Sequence, residues 1–181
     1  MLRGLNMDRQ LLISSLIEYA GRNHSNTEVV ATDSTGRVHR TNWTEVHRRA
    51  QQVSGALVSE GIKLGDRVGT IGWNDHRHLE VYYGITGIGA VLHTVNPRLR
   101  EEQIAWIINH AEDQIVFVDP DFLSVAERIA PDTHSVRYWV ILADAVPETS
   151  LINVVAYEKW ITESSQIEEW PNLDEWSAAT L

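Results

Sequence analysis

Two short polar stretches carry most of the residues in this chain whose types and spacing suit chemistry. The first, GWNDHRH, sets Asn74, Asp75, His76 and His78 beside one another. Two imidazoles two positions apart, with a carboxylate next to them, are donor types that a transition metal accepts. The sequence offers no third ligand, so the stretch reads better as the cap of a following helix than as a metal centre. The second stretch, HTVNPRL, groups His93, Asn96, Pro97 and Arg98, with Arg100 just beyond. These residues can exchange a proton, make amide hydrogen bonds and pair with an anion. Asn96-Pro97 is also a turn signal, because proline fixes its own φ and pushes the preceding residue out of the α region.

Three other patterns lead away from catalysis. Residues 84–89 read GITGIG, which has the wrong glycine order for a dinucleotide loop and lies late in a helix rather than between strand and helix. Glycines that let a helix and a strand approach closely explain it better. Ser14 and Ser15 sit in an apolar helical run without a glycine elbow, which leaves them poor nucleophiles. The phosphate loop pattern G-x-x-x-x-G-K-[ST] occurs nowhere in the chain. No catalytic residue and no metal ligand is therefore assigned.

The two polar stretches are positioned by a regular alternation of elements. QLLISSLIEYAGR, residues 10–22, predicts a helix with Leu12, Leu16, Ile17 and Ala20 on one face. TEVVATD and RVHRTNW flank STGR and predict a β-hairpin. Asn42 and Glu45, three apart, predict a capping box opening a helix with Val46, Ala50, Val53 and Leu57 inward and Gly61 at its end. DRVGTIGW, AVLHTV, QIVFVD and VRYWVIL read as strands. Between them, HRHLEVYYGITGIG, REEQIAWIINHAE and PDFLSVAERIA read as helices. The second of these has Ile104, Ile107, Ile108 and Ala111 inward, and the third has Pro120 near its first turn. That alternation means βαβ units, hence an α/β fold with a mostly parallel sheet flanked by helices and an early hairpin. Ligands of open parallel sheets sit beyond the carboxyl ends of the strands. GWNDHRH and HTVNPRL are two such ends, so Asn74, His76, His93, Asn96 and Arg98 are expected on one rim, facing a substrate or a partner.

After Asp144 the periodicity weakens. Residues 1–145 read as an α/β subdomain and 146–181 as an acidic connector, with VVAYEKWITES as a short helix. Asp144, Glu148, Glu158, Glu163, Glu168, Glu169, Asp174 and Glu175 face one base, Lys159, which accounts for −7 of the formal charge of −10. Trp170 and Trp176 are large apolar surfaces for such a segment; they either dock on the body or meet a part of the protein beyond this sequence. The final residues, SAATL, read as the start of a strand.

A charge of −10 argues against an unaided nucleic-acid surface, which has to neutralise phosphates. With no cysteine, disulfides and thiol catalysis are excluded and a reducing compartment is compatible. LLISSLI is too short to span a bilayer and has no cleavage site after it, so no membrane segment or signal peptide is expected, and the cytoplasm is the expected location.

The stretch from TNWTEVHRRA to QIVFVD resembles the N-terminal region of the adenylate-forming acyl-CoA ligases. The branch it resembles activates medium- or long-chain fatty acids in bacteria or forms methylmercaptopropionyl-CoA. GDRVGTIGWN, RHLEVYYG, GAVLHTVNPRL and INHAED carry the resemblance, in that order. It implies an ATP- and Mg2+-dependent reaction in which a carboxylic acid becomes an acyl-adenylate and then an acyl-CoA. It also implies that the phosphate loop, of the form T-S-G-T-T-G-x-P-K-G, follows soon after a segment like SAATL. The chain is then expected to be the N-terminal piece of a longer enzyme, inactive by itself and binding no cofactor. Its core, covered by another domain in such an enzyme, predicts self-association into a homo-oligomer. The HTVNPRL corner is mainly architectural in that family, and Arg100 departs from the small capping residue that relatives often carry. The competing expectation is a non-catalytic interaction module derived from an adenylating enzyme.

Overall fold

The computed structural model describes residues 8–181. Helix α1 spans Ile13–Asn23. Its inward stripe is Ser14 and Ile17, with Gly21 close against His47, while Leu16 is 63% exposed. The expected face is therefore rotated. The small residues Ser14 and Gly21 let α1 lie close to its neighbour, which turns Leu16 to solvent.

Strands β1 (Glu28–Thr32) and β2 (Val38–Asn42) form the hairpin, antiparallel with Thr32 opposite Val38. The Asp33 carboxylate accepts from the amides of Thr35 and Arg37, and Gly36 takes φ +84°, so the turn is held by one side chain and one glycine. Helix α2 (Trp43–Ser59) follows directly. The Asn42 side chain accepts from the Glu45 amide at 3.0 Å, as its spacing predicts. The Glu45 carboxylate turns instead to Arg48, at 2.9 Å, because a guanidinium one turn on is a stronger partner than an amide. Val46, Ala50, Val53 and Leu57 are all fully buried, and Gly61 (φ +81°) ends the segment.

Five parallel strands make the main sheet: β3 (Arg67–Ile71), β4 (Val91–Thr94), β5 (Ile115–Val118), β6 (Tyr138–Ile141) and β7 (Val154–Ala156). Their spatial order is β4-β3-β5-β6-β7. The crossovers are α3 (His76–Gly87), α4 (Glu101–Ala111), and a 3-10 turn (Pro120–Phe122) running into α5 (Leu123–Ile129); α6 (Tyr157–Glu163) follows β7. Alternate residues feed two cores. Leu92, Ile115 and Phe117 pack with α2, α3 and α6 on one face. Val116, Val118 and Ile141 pack with α4 and α5 on the other. In α4, Ile104, Ile108 and Ala111 are buried as expected, with Ala105 beside them, while Ile107 is half-buried.

The run VVAYEKWITES is not one helix. Its first three residues pair in parallel with β6, Val140 opposite Val155, and only then does α6 begin. Tyr157 and Ile161 are fully buried, and Trp160 meets Phe117 edge-on at 5.5 Å. The two tryptophans that follow in the connector diverge. Trp170 donates from its indole nitrogen to His47 Nε2 at 3.1 Å and covers Gly87, whereas Trp176 is 89% exposed. At the end of the chain Thr180 pairs in parallel with Leu92, adding a bridge along the outer edge of β4.

Candidate functional site

The rim predicted from the two polar stretches divides in the structure. Asp75 caps α3, its carboxylate accepting from the His78 amide at 2.9 Å. This seats Asn74, His76 and His78 at the mouth of a cavity of about 590 Å³, with Leu92 and Thr94 of β4 and Val30 of the hairpin among its other walls. Asn96 and Arg98 lie outside that lining. They are exposed in the turn after β4, where Asn96 Oδ1 accepts from the Arg98 amide at 3.0 Å. The turn passes into α4 through Gln103, whose side-chain oxygen accepts from the Arg100 amide at 3.1 Å.

His93 is not on the rim. It sits opposite Gly69 on the edge strand β4 and points to the face away from Leu92 and Thr94. There its Nδ1 lies 2.7 Å from Asp113 Oδ2, with Asp113 fully buried. Burial pushes the Asp113 carboxyl up, against the pull of His93. Only glycine fits below this pair, since a Cβ at Gly69 would lie 2.9 Å from Asp113 Oδ2.

His76 is buried and stacks on His39 of β2, with ring centroids 3.6 Å apart. Burial lowers its pKa to about 4 despite Asp75, and His39, Arg77 and Arg49 act in the same direction as burial. It is therefore neutral near pH 7. Burial also lowers His78, whose Nε2 lies 3.1 Å from Thr70 Oγ1.

A second polar group, beneath this one, has no counterpart among the predicted site residues. Arg49 donates through Nε to Glu80 at 2.8 Å and through both terminal nitrogens to Glu158 at 3.0 Å. Arg77 donates to the same Glu158 at 2.8 Å and to the Leu142 carbonyl at 3.1 Å. Tyr157 donates to the other oxygen of Glu80 at 2.7 Å. Glu80 is 1% exposed. Burial pushes its carboxyl up, opposed by Arg49. Burial also acts to raise Glu158, but its two guanidinium partners outweigh it and the carboxyl lies below the usual range. The network ties α2, α3 and α6 together as a clamp. Its signal in the sequence was an acid beside Val81 on the buried face of α3 and a base beside Ala50 on that of α2.

The order β4-β3-β5 puts the reversal of winding between β3 and β5, where an open α/β sheet forms its crevice. That crevice, about 250 Å³, is bordered by Trp73, Asp75, Asp119 and Asp121, with the Trp73 indole donating to Asp121 at 2.8 Å. The ends of β3 and β4 are consecutive in sequence, but β5 lies on the other side of β3. Burial raises the Asp119 carboxyl, and the neighbouring acids Asp121 and Asp75 add to it, against the pull of Arg77. Among the described residues no three His, Asp or Glu side chains converge closely enough to hold a metal ion.

The model of the AMP-binding enzyme family matches residues 17–181. The chain belongs to that family. Among AMP-binding enzymes it is 40% identical, over 98% of its length, to 3-methylmercaptopropionyl-CoA ligase of Ruegeria lacuscaerulensis, and covers 33% of that protein. To the medium-chain-fatty-acid–CoA ligase of Ectopseudomonas oleovorans it is 41% identical, again over 98% of this chain and 33% of the relative. The crystal structure of the anthranilate CoA ligase AuaEII with anthranoyl-AMP superposes with a TM-score of 0.85 at 17% identity, over 99% of this chain and 33% of that one. At that identity the likeness shows the fold, which is that of adenylate-forming enzyme domains. The chain spans about a third of the length of the curated AMP-binding relatives it matches. No helix among the described residues is long and apolar enough to cross a membrane.

Proposed function

We propose that the chain serves as the N-terminal part of an AMP-forming acyl-CoA ligase. In that reaction a carboxylic acid and ATP give an acyl-adenylate and pyrophosphate, and CoA then displaces AMP. The observation that carries this reading is identity near 40% to two CoA ligases, spread over 98% of the chain rather than confined to one motif. The role of these residues is architectural. They supply a five-stranded sheet with two buried cores and no step of the chemistry. The sequence lacks a loop of the form T-S-G-T-T-G-x-P-K-G, so in this reading ATP, Mg2+ and CoA are held by other segments of the enzyme.

In this reading residues 1–145 form the body and 146–181 the connector, whose first part, β7 and α6, is folded onto that body. Asn74, His76, His93, Asn96 and Arg98 are positioning or partner-facing residues rather than catalytic ones. The enzyme is cytoplasmic and homo-oligomeric. Leu11, Leu16 and Tyr19 on and beside α1 are each at least 60% exposed, which supports association through that face. Light scattering of the purified chain should then report dimers or larger species, and a clean monomer at high concentration would remove that part of the proposal.

The direct test is a hybrid in which this chain replaces the matching third of the Ectopseudomonas ligase. We expect the hybrid to form acyl-CoA and the chain alone to show no ATP–pyrophosphate exchange. A folded hybrid without activity, or exchange by the chain alone, overturns the reading. The second reading, a non-catalytic interaction module, draws on the acidic stretch after Asp144 and the exposed Trp176. A stop codon immediately downstream in the gene would favour it; a reading frame continuing into a T-S-G-T-T-G-like loop favours the ligase.

A further inference from the structure

A cleft of about 560 Å³ separates β2 from the first turns of α2 and α3. Arg37, His39 and Arg40 line it from the hairpin, and Arg49, His76 and Arg77 from the helices. Four guanidiniums thus converge in a chain whose net charge is −10. Three carboxylates share the lining, and each is already engaged: Glu45 by Arg48, Asp144 by Arg77, and Glu158 by Arg49 and Arg77. The acids that pair with the hairpin arginines stand outside the lining. Arg40 meets Glu28 at 2.7 Å through one terminal nitrogen, and Arg37 meets Asp33 only at 3.4 Å. A guanidinium carries five N–H donors, so both retain donors after those contacts.

An independent observation comes from the helix side. His76 is 8% exposed, and among the described residues neither ring nitrogen has a hydrogen-bond partner; its nearest carboxylate oxygen, on Asp75, is 3.9 Å away. The side chain is about nine-tenths buried, yet its unpartnered nitrogens stay open to solvent, and the ring borders the cleft. It is also the first residue of a twelve-residue helix, whose leading amides have no intrahelical acceptor and whose dipole favours a negative charge there. Asp75 takes the amide of His78 and leaves those of His76 and Arg77.

We propose that this cleft is an oxyanion site that takes a phosphate group, free or carried on a larger molecule. Arg37 and Arg40 supply charge and donors from one wall, and the ring of His76 and the first amides of α3 supply donors from the other. The site does not depend on the ligase reading, and its test needs no turnover.

The experiment titrates the whole chain with inorganic phosphate, following the melting temperature and the ring-proton resonances of His39 and His76. The melting temperature should rise saturably, beyond the effect of sodium chloride at matched ionic strength, and both rings should shift along the same curve. Arg37→Ala with Arg40→Ala, both at exposed positions, should weaken phosphate binding about tenfold or more, as expected on losing charge-assisted hydrogen bonds. Glycerol 3-phosphate distinguishes the sources. Saturation at lower concentration than phosphate assigns the group to a larger molecule, and equal saturation assigns a free ion; either supports the site. A response no greater than that to chloride, stationary His76 ring protons, or an undiminished response in the double variant overturns it.

Discussion

At the scale of single residues, the buried clamp sets the largest energies. Arg49 → Ala would strand Glu80, 1% exposed, with only Tyr157 as a partner. Breaking a buried pair in this way costs about 3–5 kcal/mol, whereas replacing both members by apolar residues is often near neutral. Urea denaturation should therefore show Arg49→Ala far less stable than the parent, with Arg49→Met/Glu80→Leu recovering most of the loss. A double variant as unstable as the single one would mean that the clamp specifies geometry that packing cannot replace. His76 gives a pH signature. Its pKa of about 4 lies below the ordinary 6.5, so between those values the unfolded chain binds more protons than the folded one. Its contribution is complete above pH 6.5 and is lost as pH falls toward 4, on the order of 3 kcal/mol for a shift of this size. Stability curves of His76→Gln and the parent should converge on acidification through that window. A constant gap between them would show that His76 titrates alike in the folded and unfolded chains.

At the scale of elements, close approach decides the packing. A Cβ at Gly84 would stand 2.5 Å from Val53 Cγ1 and 3.0 Å from the Ala50 carbonyl. Gly84→Ala should thus cost about 1–3 kcal/mol by pushing α3 from α2, and Val53→Gly in the same chain should return part of it by removing both Cγ1 and the Cβ that stands 2.6 Å away. Thermal melts of the three variants would reveal the exchange; purely additive losses would contradict it. GITGIG reads as letting a helix and a strand approach; at Gly84 the close neighbour is another helix, α2, whose packing offsets the cost of glycine in a helix. The hairpin, the α2 cap and the strand–helix alternation were legible because each rests on local spacing. β7 was not. Three apolar residues running into a helix look like more helix, and only pairing with β6 makes them a strand. The orientation of His93 was hidden because AVLHTV is apolar on both faces, so no alternation marks which way its side chains point. The clamp was hidden because Glu80 and Glu158 lie 31 and 109 residues from Arg49.

Across the whole molecule, protection should follow the two cores rather than the charge. Amides of β3, β4, β5 and β6 are expected to exchange most slowly with deuterium. Those of β7 and α6 should follow closely, since Ala156, Tyr157, Trp160 and Ile161 are buried. From Ser164 to Ala178 few backbone amides are bonded, Ile167 to Gln51 and Ser177 to Asp174 among them, so this stretch should exchange at the earliest times. Slow exchange throughout it would make the connector an integral layer of the fold.

The bridge between Leu92 and Thr180 joins residues 88 positions apart. A ribosome adds about 5–20 residues per second, so β4 emerges on the order of ten seconds before the segment that borders its outer edge. During that interval the edge is an open template in the nascent chain, next to the hydrophobic residues of β3 and β5. The amide and carbonyl of Leu92, which come to bond Ala179 and Leu181, have no such partners until translation is nearly past them. The stretch around AVLHTV is accordingly the part of the sheet edge left open longest, and slowing translation between residues 94 and 179 should increase aggregation.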